Sequence, residues 1–459
     1  MELTTVHIIT LILAIGVTMI PGIIAARQVK SADDYVLGGR SSGVALVAAT
    51  IVGTLVGGGS TMGTAQLAFR MGATAWWFTL GGGVALFILG AFYAKVLRES
   101  GLTTISQFLV TNFGKKAGYL ASVSASAGMF FSVVTSTLSV THLFCLLFNV
   151  QPWVAGVIIF FVVGGFVFYG GLKGSGIVGM AKIVFILASI FVGGCISYST
   201  LGGWGGLQNA FPAEPWFDLF SQGTVKGWMT LMSLIVGVVS TQSYAQSIFS
   251  AANTRVAAVA CFVAGAITIP VGIPSILIGM FMRVHHPDIL PIEALPLFLA
   301  TYLPDWLGGL GIAALILATI GTIVGLSLGI GTMFSRDIVM NFYKNLTSGQ
   351  LLWASRFGVM GACLLAIVFT NFNLESNALD WSYLSMALRG SGIFLPLTFC
   401  VFFPGRVRPA YGLMSMAAGI FVGLTWKYIG ISGVHPLIPA LTLNAVFLLI
   451  GMWRNKEND

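Results

Sequence analysis

Polar side chains gather inside two otherwise apolar segments of this sequence, at 44–60 and at 236–246. Their hydroxyl and amide groups can both donate and accept hydrogen bonds, so they suit a small polar solute. Polar groups are costly in an apolar environment unless they find partners, which favours a binding role for these clusters. We therefore predict a solute site formed by Thr50, Thr54, Thr241, Gln242 and Tyr244.

A glycine-rich run at 57–60 interrupts the first segment. Each glycine costs about 1 kcal/mol relative to alanine inside a helix, so the run favours a break. A broken helix would direct unpaired carbonyls into a ligand cavity, whereas an unbroken one would use its glycines for close helix packing. The neighbouring threonines and serine favour the break. The polar cluster at 236–246 predicts a second interrupted helix.

Two basic residues, Lys182 and Arg389, also lie within apolar segments, whereas all 14 acidic residues fall in predicted loops or tails. A proton relay through a buried carboxylate is therefore not expected. Lys182 either extends its ammonium to the membrane surface or places it in a ligand site, where a buried lysine can exchange a proton. Arg389 is expected near the outer end of its helix, where it packs or extends to the surface.

These residues must be positioned by membrane-spanning helices. Of the 459 residues, 57% are hydrophobic and only 8% are charged, against about 25% charged in soluble proteins. A span needs about 20 apolar residues, and lipid offers no partner for unpaired backbone groups. The sequence predicts an all-α polytopic membrane protein with about thirteen spans, at 6–26, 43–68, 73–94, 118–148, 153–172, 177–200, 228–250, 256–282, 307–332, 352–371, 384–404, 410–430 and 436–453.

The distribution of basic residues predicts the orientation of the chain. Of the 22 lysines and arginines, two lie deeper within spans, and four lie in loops or at span ends on one side of the membrane, namely Arg70, Lys226, Arg283 and Lys427. All the others fall on the opposite side, which the positive-inside rule assigns to the cytoplasm. We therefore predict an N-terminus outside and a C-terminus inside. The net charge of +8 reports this topology, and no nucleic-acid partner is expected.

Several other classes of site are not expected. All five cysteines lie in apolar segments, which indicates reduced thiols and neither a disulfide nor a metal cluster. The first apolar segment is too long for a signal peptide and lacks a basic start. No pair of buried carboxylates and no nucleophile triad is evident, so we predict neither an enzyme nor a cofactor.

Five segments resemble, in order along the chain, the sodium/solute symporter family, which contains carriers of proline, pantothenate, sialic acid and sugars. They include Asp34-Tyr-Val-Leu-Gly-Gly-Arg40 and Tyr169-Gly-Gly-Leu172, and the others are 102–114, 246–253 and 313–338. The resemblance implies a LeuT-type fold in one transmembrane domain, 1–459. Its two inverted five-helix repeats would be 43–200 and 228–404, with a peripheral first helix at 6–26 and two peripheral C-terminal helices at 410–453.

The resemblance also implies a sodium site between the first and eighth core helices. Hard cations prefer oxygen ligands, which here would come from the backbone carbonyls of Ala48, Ile51 and Ala318 and from positions Gly321 and Thr322. Gly321 stands where the family commonly has serine, so one ligand is missing. Gly179 and Lys182 stand where the family has an acid and an amide, so a second sodium site is not expected.

We therefore predict a secondary active transporter that acts as a monomer in a cell membrane, expected to be a bacterial inner membrane. It would carry a small organic solute, an amino acid or a monocarboxylate, by alternating access with sodium as the coupling ion. An alternative is proton-coupled or sodium-independent transport in which Lys182 replaces the cation. A membrane solute sensor is a further alternative. A channel is disfavoured because the sequence contains neither a filter ring nor a symmetric repeat.

Overall fold

A computed structural model describes residues 3–26, 31–169, 171–343, 345–429 and 436–456. Within these ranges all regular elements are helical, and the sole β pairing is an isolated bridge between Ser42 and Ala251. The prediction of an all-α protein is therefore confirmed. Three basic residues used in the topology prediction, Arg27, Lys30 and Lys344, lie outside the described residues. Gly170, which belongs to one of the segments that resemble the family, also lies outside them.

The described chain forms 22 α-helices, some of them joined by short 3-10 or π-helical turns. They are α1 (Thr5–Ala26), α2 (Ala32–Leu37), α3 (Val44–Leu55), α4 (Thr64–Met71), α5 (Trp77–Ile88), α6 (Ala94–Glu99), α7 (Ile105–Phe113), α8 (Lys115–Phe148), α9 (Pro152–Tyr169), α10 (Gly171–Thr200), α11 (Gly203–Ala210), α12 (Ala213–Trp216), α13 (Thr224–Val239), α14 (Gln242–Ser250), α15 (Thr254–His285), α16 (Ala294–Thr301), α17 (Asp305–Met333), α18 (Met340–Phe342), α19 (Ser348–Asn371), α20 (Ala378–Phe402), α21 (Pro409–Ile429) and α22 (Leu437–Lys456).

The predicted break in the first polar segment is present. Val56 leaves the helical conformation at the end of α3 (φ −85°, ψ 86°), and a π-helical turn at Gly59–Gly63 then leads into α4. The glycines are also required for packing, because a Cβ on Gly57 would lie 2.0 Å from Thr322 Oγ1. The two interpretations of the glycine-rich run, a break and close helix packing, therefore both hold.

The second polar segment is also interrupted. α13 and α14 form a pair bent by 46°, and Thr241 between them is extended (φ −88°, ψ 117°). The Ser240 and Thr241 hydroxyls each donate to a carbonyl of the preceding turn at 2.7 Å. These bonds satisfy hydroxyls that lipid would otherwise leave without partners.

The two broken elements run in opposite directions through the protein. Ser42, just before α3, donates its N–H to the Ser250 carbonyl at 3.1 Å and accepts from the Ala252 N–H at 3.0 Å. The start of α3 and the end of α14 therefore lie at the same face of the molecule.

The centre of the protein is built around α17, which is the most enclosed of the long helices. It packs against α3, α8 and α10, while α20 packs against α8 and α13. The last two helices, α21 and α22, are the most open and pack mainly against each other and α20.

The protein is a multi-pass membrane protein. In the part of the chain that the structure describes, nine helices are long and apolar enough to span a membrane, or ten if α13 and α14 form one bent span. Some predicted spans correspond to shorter apolar helices, among them α3 and α9. The total of thirteen spans and the orientation of the termini remain predictions.

Candidate solute and cation site

A small cavity lies where the two broken elements meet the central helices. Its walls come from the α3 break, α5, α8, α14, α17 and α20. The lining residues are mostly hydroxyl-bearing or apolar, and none is acidic or basic: Thr54, Leu55, Gly57, Gly59, Phe78, Ser132, Thr135, Ser136, Tyr244, Thr322, Leu326, Ser382 and Met386. We call this space the central cavity. Its volume of about 20 Å³ is enough for roughly one water molecule, so the cavity must widen before a solute with apolar and hydrogen-bonding groups can bind there.

Two of the predicted solute-binding residues, Thr54 and Tyr244, line the central cavity. The Thr54 hydroxyl donates to the Thr50 carbonyl at 2.8 Å, which leaves its oxygen lone pairs free to accept. On the facing wall, Ser382 donates to the Thr135 hydroxyl at 3.0 Å. The cavity therefore presents oriented hydroxyl groups from several helices.

The other three predicted solute-binding residues lie outside the lining of the cavity. Thr50 and Thr241 donate their hydroxyls to carbonyls of their own segments. Gln242 accepts from the Ile105 N–H at 2.9 Å and donates to the Thr103 carbonyl at 3.0 Å. Gln242 therefore fixes the start of α7, because its amide satisfies backbone groups at the helix N-terminus.

The Lys182 amine lies between α3 and α17, at the crossing where the sodium site was expected. Its Nζ donates to the Ala318 carbonyl at 3.2 Å and to the Gly53 carbonyl. Lys182 is only 1% exposed, so of the two alternatives left open by the sequence, extension to the membrane surface is wrong. Since α3 ends two residues beyond Gly53, this carbonyl is free to accept from the lysine.

Three glycines lie around the lysine, and one of them, Gly321, makes room for the amine. A Cβ on Gly321 would lie 2.7 Å from Lys182 Nζ, and a Cβ on Gly53 would lie 3.6 Å from Lys182 Cε. A Cβ on Gly179 would lie 2.8 Å from the Ala49 carbonyl, so α10 approaches α3 more closely than any larger residue permits. Gly179 and Gly321, where the family resemblance implies an acid and a serine, therefore both lie in the region where α3, α10 and α17 meet around Lys182.

The structure brings together part of the predicted cation ligand set. The amine contacts the Ala318 carbonyl and lies against Gly321, and Thr322 Oγ1 lies 3.4 Å from the Gly53 carbonyl that the amine also contacts. Ala48 and Ile51 are buried earlier in α3, and the α3 carbonyl that the amine contacts is that of Gly53. Sequence reasoning missed Gly53, although its position just before the glycine-rich break was the available signal.

A family model described as the sodium:solute symporter family matches residues 35–419. The chain belongs to this family. Since the family consists of transporters, the prediction that the protein is not an enzyme is confirmed.

The proteins related to this symporter-family protein have names that specify different solutes. The human high affinity choline transporter 1 is 24% identical over 444 residues, which cover 89% of this chain and 74% of the relative. The sodium/sialic acid symporter NanT of Aliivibrio fischeri is 26% identical over 408 residues, covering 81% and 77%. The sodium/proline symporter of Escherichia coli is 23% identical over 478 residues, covering 98% and 93%.

A solved structure of a Na⁺-coupled sialic acid symporter, in a substrate-bound outward-open state, has the same fold. It matches this symporter-family protein with a TM-score of 0.82 at 16% identity and covers 99% of this chain and 98% of that chain. The LeuT-type architecture expected from the sequence is therefore present.

Arg389 is a second buried cation of this symporter-family protein, and its position differs from the one predicted from the sequence. It lies near the middle of the 25-residue helix α20 and has no exposed surface. It therefore neither sits near the outer end of its helix nor extends to the membrane surface. α8 packs closely on α20 at this position, since a Cβ on Gly128 would lie 2.8 Å from the Arg389 Cβ.

Asp337 is a buried carboxylate that sequence reasoning assigned to a loop. It lies in the π-helical turn Phe334–Val339 that continues α17, and it accepts from Thr104 Oγ1 at 2.9 Å and Ser122 Oγ at 2.8 Å. These partners are 233 and 215 residues away in the chain, so no local pattern could reveal them. At 1.5 Å per residue Asp337 lies about 48 Å along the helix from the start of α17. Because the hydrocarbon core of a membrane is about 30 Å thick, Asp337 lies outside that core.

Proposed function

We propose that this protein is a secondary active transporter that carries a small organic solute, an amino acid or a monocarboxylate, through the central cavity by alternating access. Membership in the sodium:solute symporter family supports the transport function. The hydroxyl-rich cavity between two broken helices supports the position of the solute site, with Thr54 and Tyr244 as ligands.

For coupling, we propose that the Lys182 amine takes the place of the cation. The single observation that carries this proposal is the pair of contacts from Lys182 Nζ to the Gly53 and Ala318 carbonyls. A positive charge at this position repels a sodium ion by about 4 kcal/mol at 4 Å for an effective dielectric constant of 20. That repulsion corresponds to an affinity loss of about three orders of magnitude.

Lysine chemistry offers a route to proton coupling. An ammonium has three N–H donors, and a neutral amine keeps two N–H groups, so either form can bond to both carbonyls. The bonds of the ammonium are the stronger, because its donors are charged. Since Gly53 belongs to α3 and Ala318 to α17, loss of the proton would weaken a link between these two helices. Protonation would thereby be coupled to their relative movement.

Sodium symport is the second candidate, and the family assignment favours it. In that case the amine would have to leave the crossing of α3 and α17 before sodium binds to Ala318, Thr322 and the α3 carbonyls. We further propose thirteen spans in one domain, with inverted repeats at 43–200 and 228–404, an outside N-terminus and an inside C-terminus. The protein would act as a monomer in a cell membrane, that of a bacterium.

Counterflow of a labelled solute in proteoliposomes tests the transport function. Vesicles loaded with unlabelled solute should accumulate the labelled compound transiently, because a carrier exchanges one molecule for another. A channel or a sensor would give no such overshoot, and its absence for every solute that binds the purified protein would contradict the proposal.

A further inference from the structure

Arg389 lies near the middle of α20, a helix that is long and apolar enough to span the membrane. At 1.5 Å per residue it is about 16 Å from the start of α20, and the side chain has no exposed surface. A charged group at such depth is expensive unless an opposite charge or a set of acceptors compensates it. The contacts of the guanidinium therefore indicate what it is for.

Those contacts are too few for a guanidinium. Arg389 Nη2 donates to Ser132 Oγ at 3.3 Å and contacts Met386 Sδ at 2.7 Å. The Nε and Nη1 atoms are buried and have no hydrogen-bond partner in the described chain. The single ion pair among the described residues is that of Arg336 with Asp33, so no described carboxylate neutralises Arg389.

The two residues that Arg389 Nη2 contacts, Ser132 and Met386, both line the central cavity. Met386 lies one helical turn before Arg389 on α20, so the guanidinium lies directly behind this part of the cavity wall. Methionine is unbranched and changes rotamer readily, so a small movement of Met386 would open the guanidinium to a bound solute.

The buried charges next to the central cavity are positive. The cavity lining has no acidic side chain, and the Lys182 amine adjoins it through the Gly53 carbonyl that Thr322 also approaches. Two buried cations without a described counter-ion attract a negatively charged solute and oppose a positively charged one. The ammonium group of an amino acid would find no carboxylate at this site.

We propose that Arg389 binds the carboxylate of the transported solute, and that this solute is a monocarboxylate without an amino group. The proposal rests on the central cavity being the transport site. Arginine suits this role, because its planar fork of N–H groups matches the two oxygens of a carboxylate. The solute thus supplies the acceptors that Nε and Nη1 lack, and the hydroxyls of the cavity receive its other polar groups.

Thermal unfolding of the purified wild-type protein tests the solute class first. The probes are propanoate and lactate as potassium salts, the matched neutral propanamide, the zwitterion alanine, and choline chloride. Because a ligand that binds only the folded state raises its stability, propanoate or lactate should raise the unfolding temperature. Propanamide, alanine and choline should not. Equal shifts with an acid and its amide, or a shift with choline or alanine alone, would overturn the proposal.

The variant Arg389→Met then tests the residue, with Arg283→Met as the matched control at an exposed position. Loss of a charge-assisted hydrogen bond should weaken carboxylate binding by about 10- to 150-fold. Arg389→Lys keeps the charge and should recover part of this affinity. If Arg389 has only a structural role, Arg389→Met should lower the unfolding temperature of the ligand-free protein. We expect it to be unchanged or raised, because an unpaired buried charge is removed.

Two outcomes separate this inference from the transport function. If choline undergoes counterflow and monocarboxylates do not, the transport function stands and the assignment of Arg389 is wrong. If monocarboxylates bind with the predicted dependence on Arg389 but show no counterflow, the assignment stands and the transport function is contradicted.

Discussion

Replacing Gly321 by serine should disturb the Lys182 amine directly. The new Cβ would lie 2.7 Å from Lys182 Nζ, which is too close for any real contact, so the flexible end of the lysine must move. Movement breaks its bonds to Ala318 and Gly53. Two charge-assisted hydrogen bonds are worth about 3–6 kcal/mol together. The serine hydroxyl replaces part of this, so we expect a net destabilisation of about 1–3 kcal/mol, typical of overpacking.

The same substitution should be nearly neutral in a Lys182→Ala background. Without the amine, the serine has space and its hydroxyl joins Ala318 and Thr322 as an oxygen ligand. A double-mutant cycle should therefore give a favourable interaction energy of about 1–3 kcal/mol between the two substitutions. The assay is the free energy of unfolding from titration with a denaturing detergent, for the wild type, both single variants and the double variant. Gly361→Ser is the matched control, since a Cβ there meets no atom within 4 Å.

Repeating the titration in sodium and potassium chloride adds a second readout. Only the double variant should be more stable in sodium, by about 1.4 kcal/mol at a concentration ten times its dissociation constant. If Gly321→Ser costs the same with and without the amine, the lysine does not occupy the site and the reasoning is refuted.

Two further predictions concern the scaffold. Gln242→Leu should lower the unfolding free energy by about 1–3 kcal/mol, because two backbone groups at the start of α7 lose their partner; unchanged stability, or weakened solute binding in an equally stable protein, would show that Gln242 acts in the cavity instead. In a cysteine-free protein, a cysteine at exposed Glu214 should react with a membrane-impermeant thiol reagent added outside, whereas one at exposed Lys115 should not; the opposite pattern would invert the proposed topology.

The fold was largely predictable because its determinants are local. Apolar runs give the helices, and the glycine-rich stretch and the cluster around Gln242 mark the two breaks. The sequence also singled out Lys182, Gly179 and Gly321, because all three depart from the pattern that the family resemblance implies, and the structure places them near one another. The number of spans was less predictable, because α3 and α9 are shorter than a full span. Length alone does not show whether such a helix crosses the membrane by itself or forms half of a broken span.

The positions of individual side chains were less predictable, because they depend on contacts between distant segments. The Gln242 amide could serve a solute or a helix end, and only its bonds to Thr103 and Ile105 decide between them. The depth of Arg389 depends on where α20 begins, at Ala378, six residues earlier than the apolar run suggested. The burial of Asp337 depends on hydroxyls from α8 and the start of α7.

The central claim is that the Lys182 amine takes the place of the coupling cation, and gradient-driven uptake tests it most directly. Proteoliposomes containing the wild type or Lys182→Ala would receive labelled solute under a sodium gradient at constant pH, and then under a proton gradient without sodium. We predict that wild-type uptake ignores sodium and follows the proton gradient, and that Lys182→Ala loses this dependence. Sodium-driven uptake at constant pH that persists in Lys182→Ala would contradict the claim.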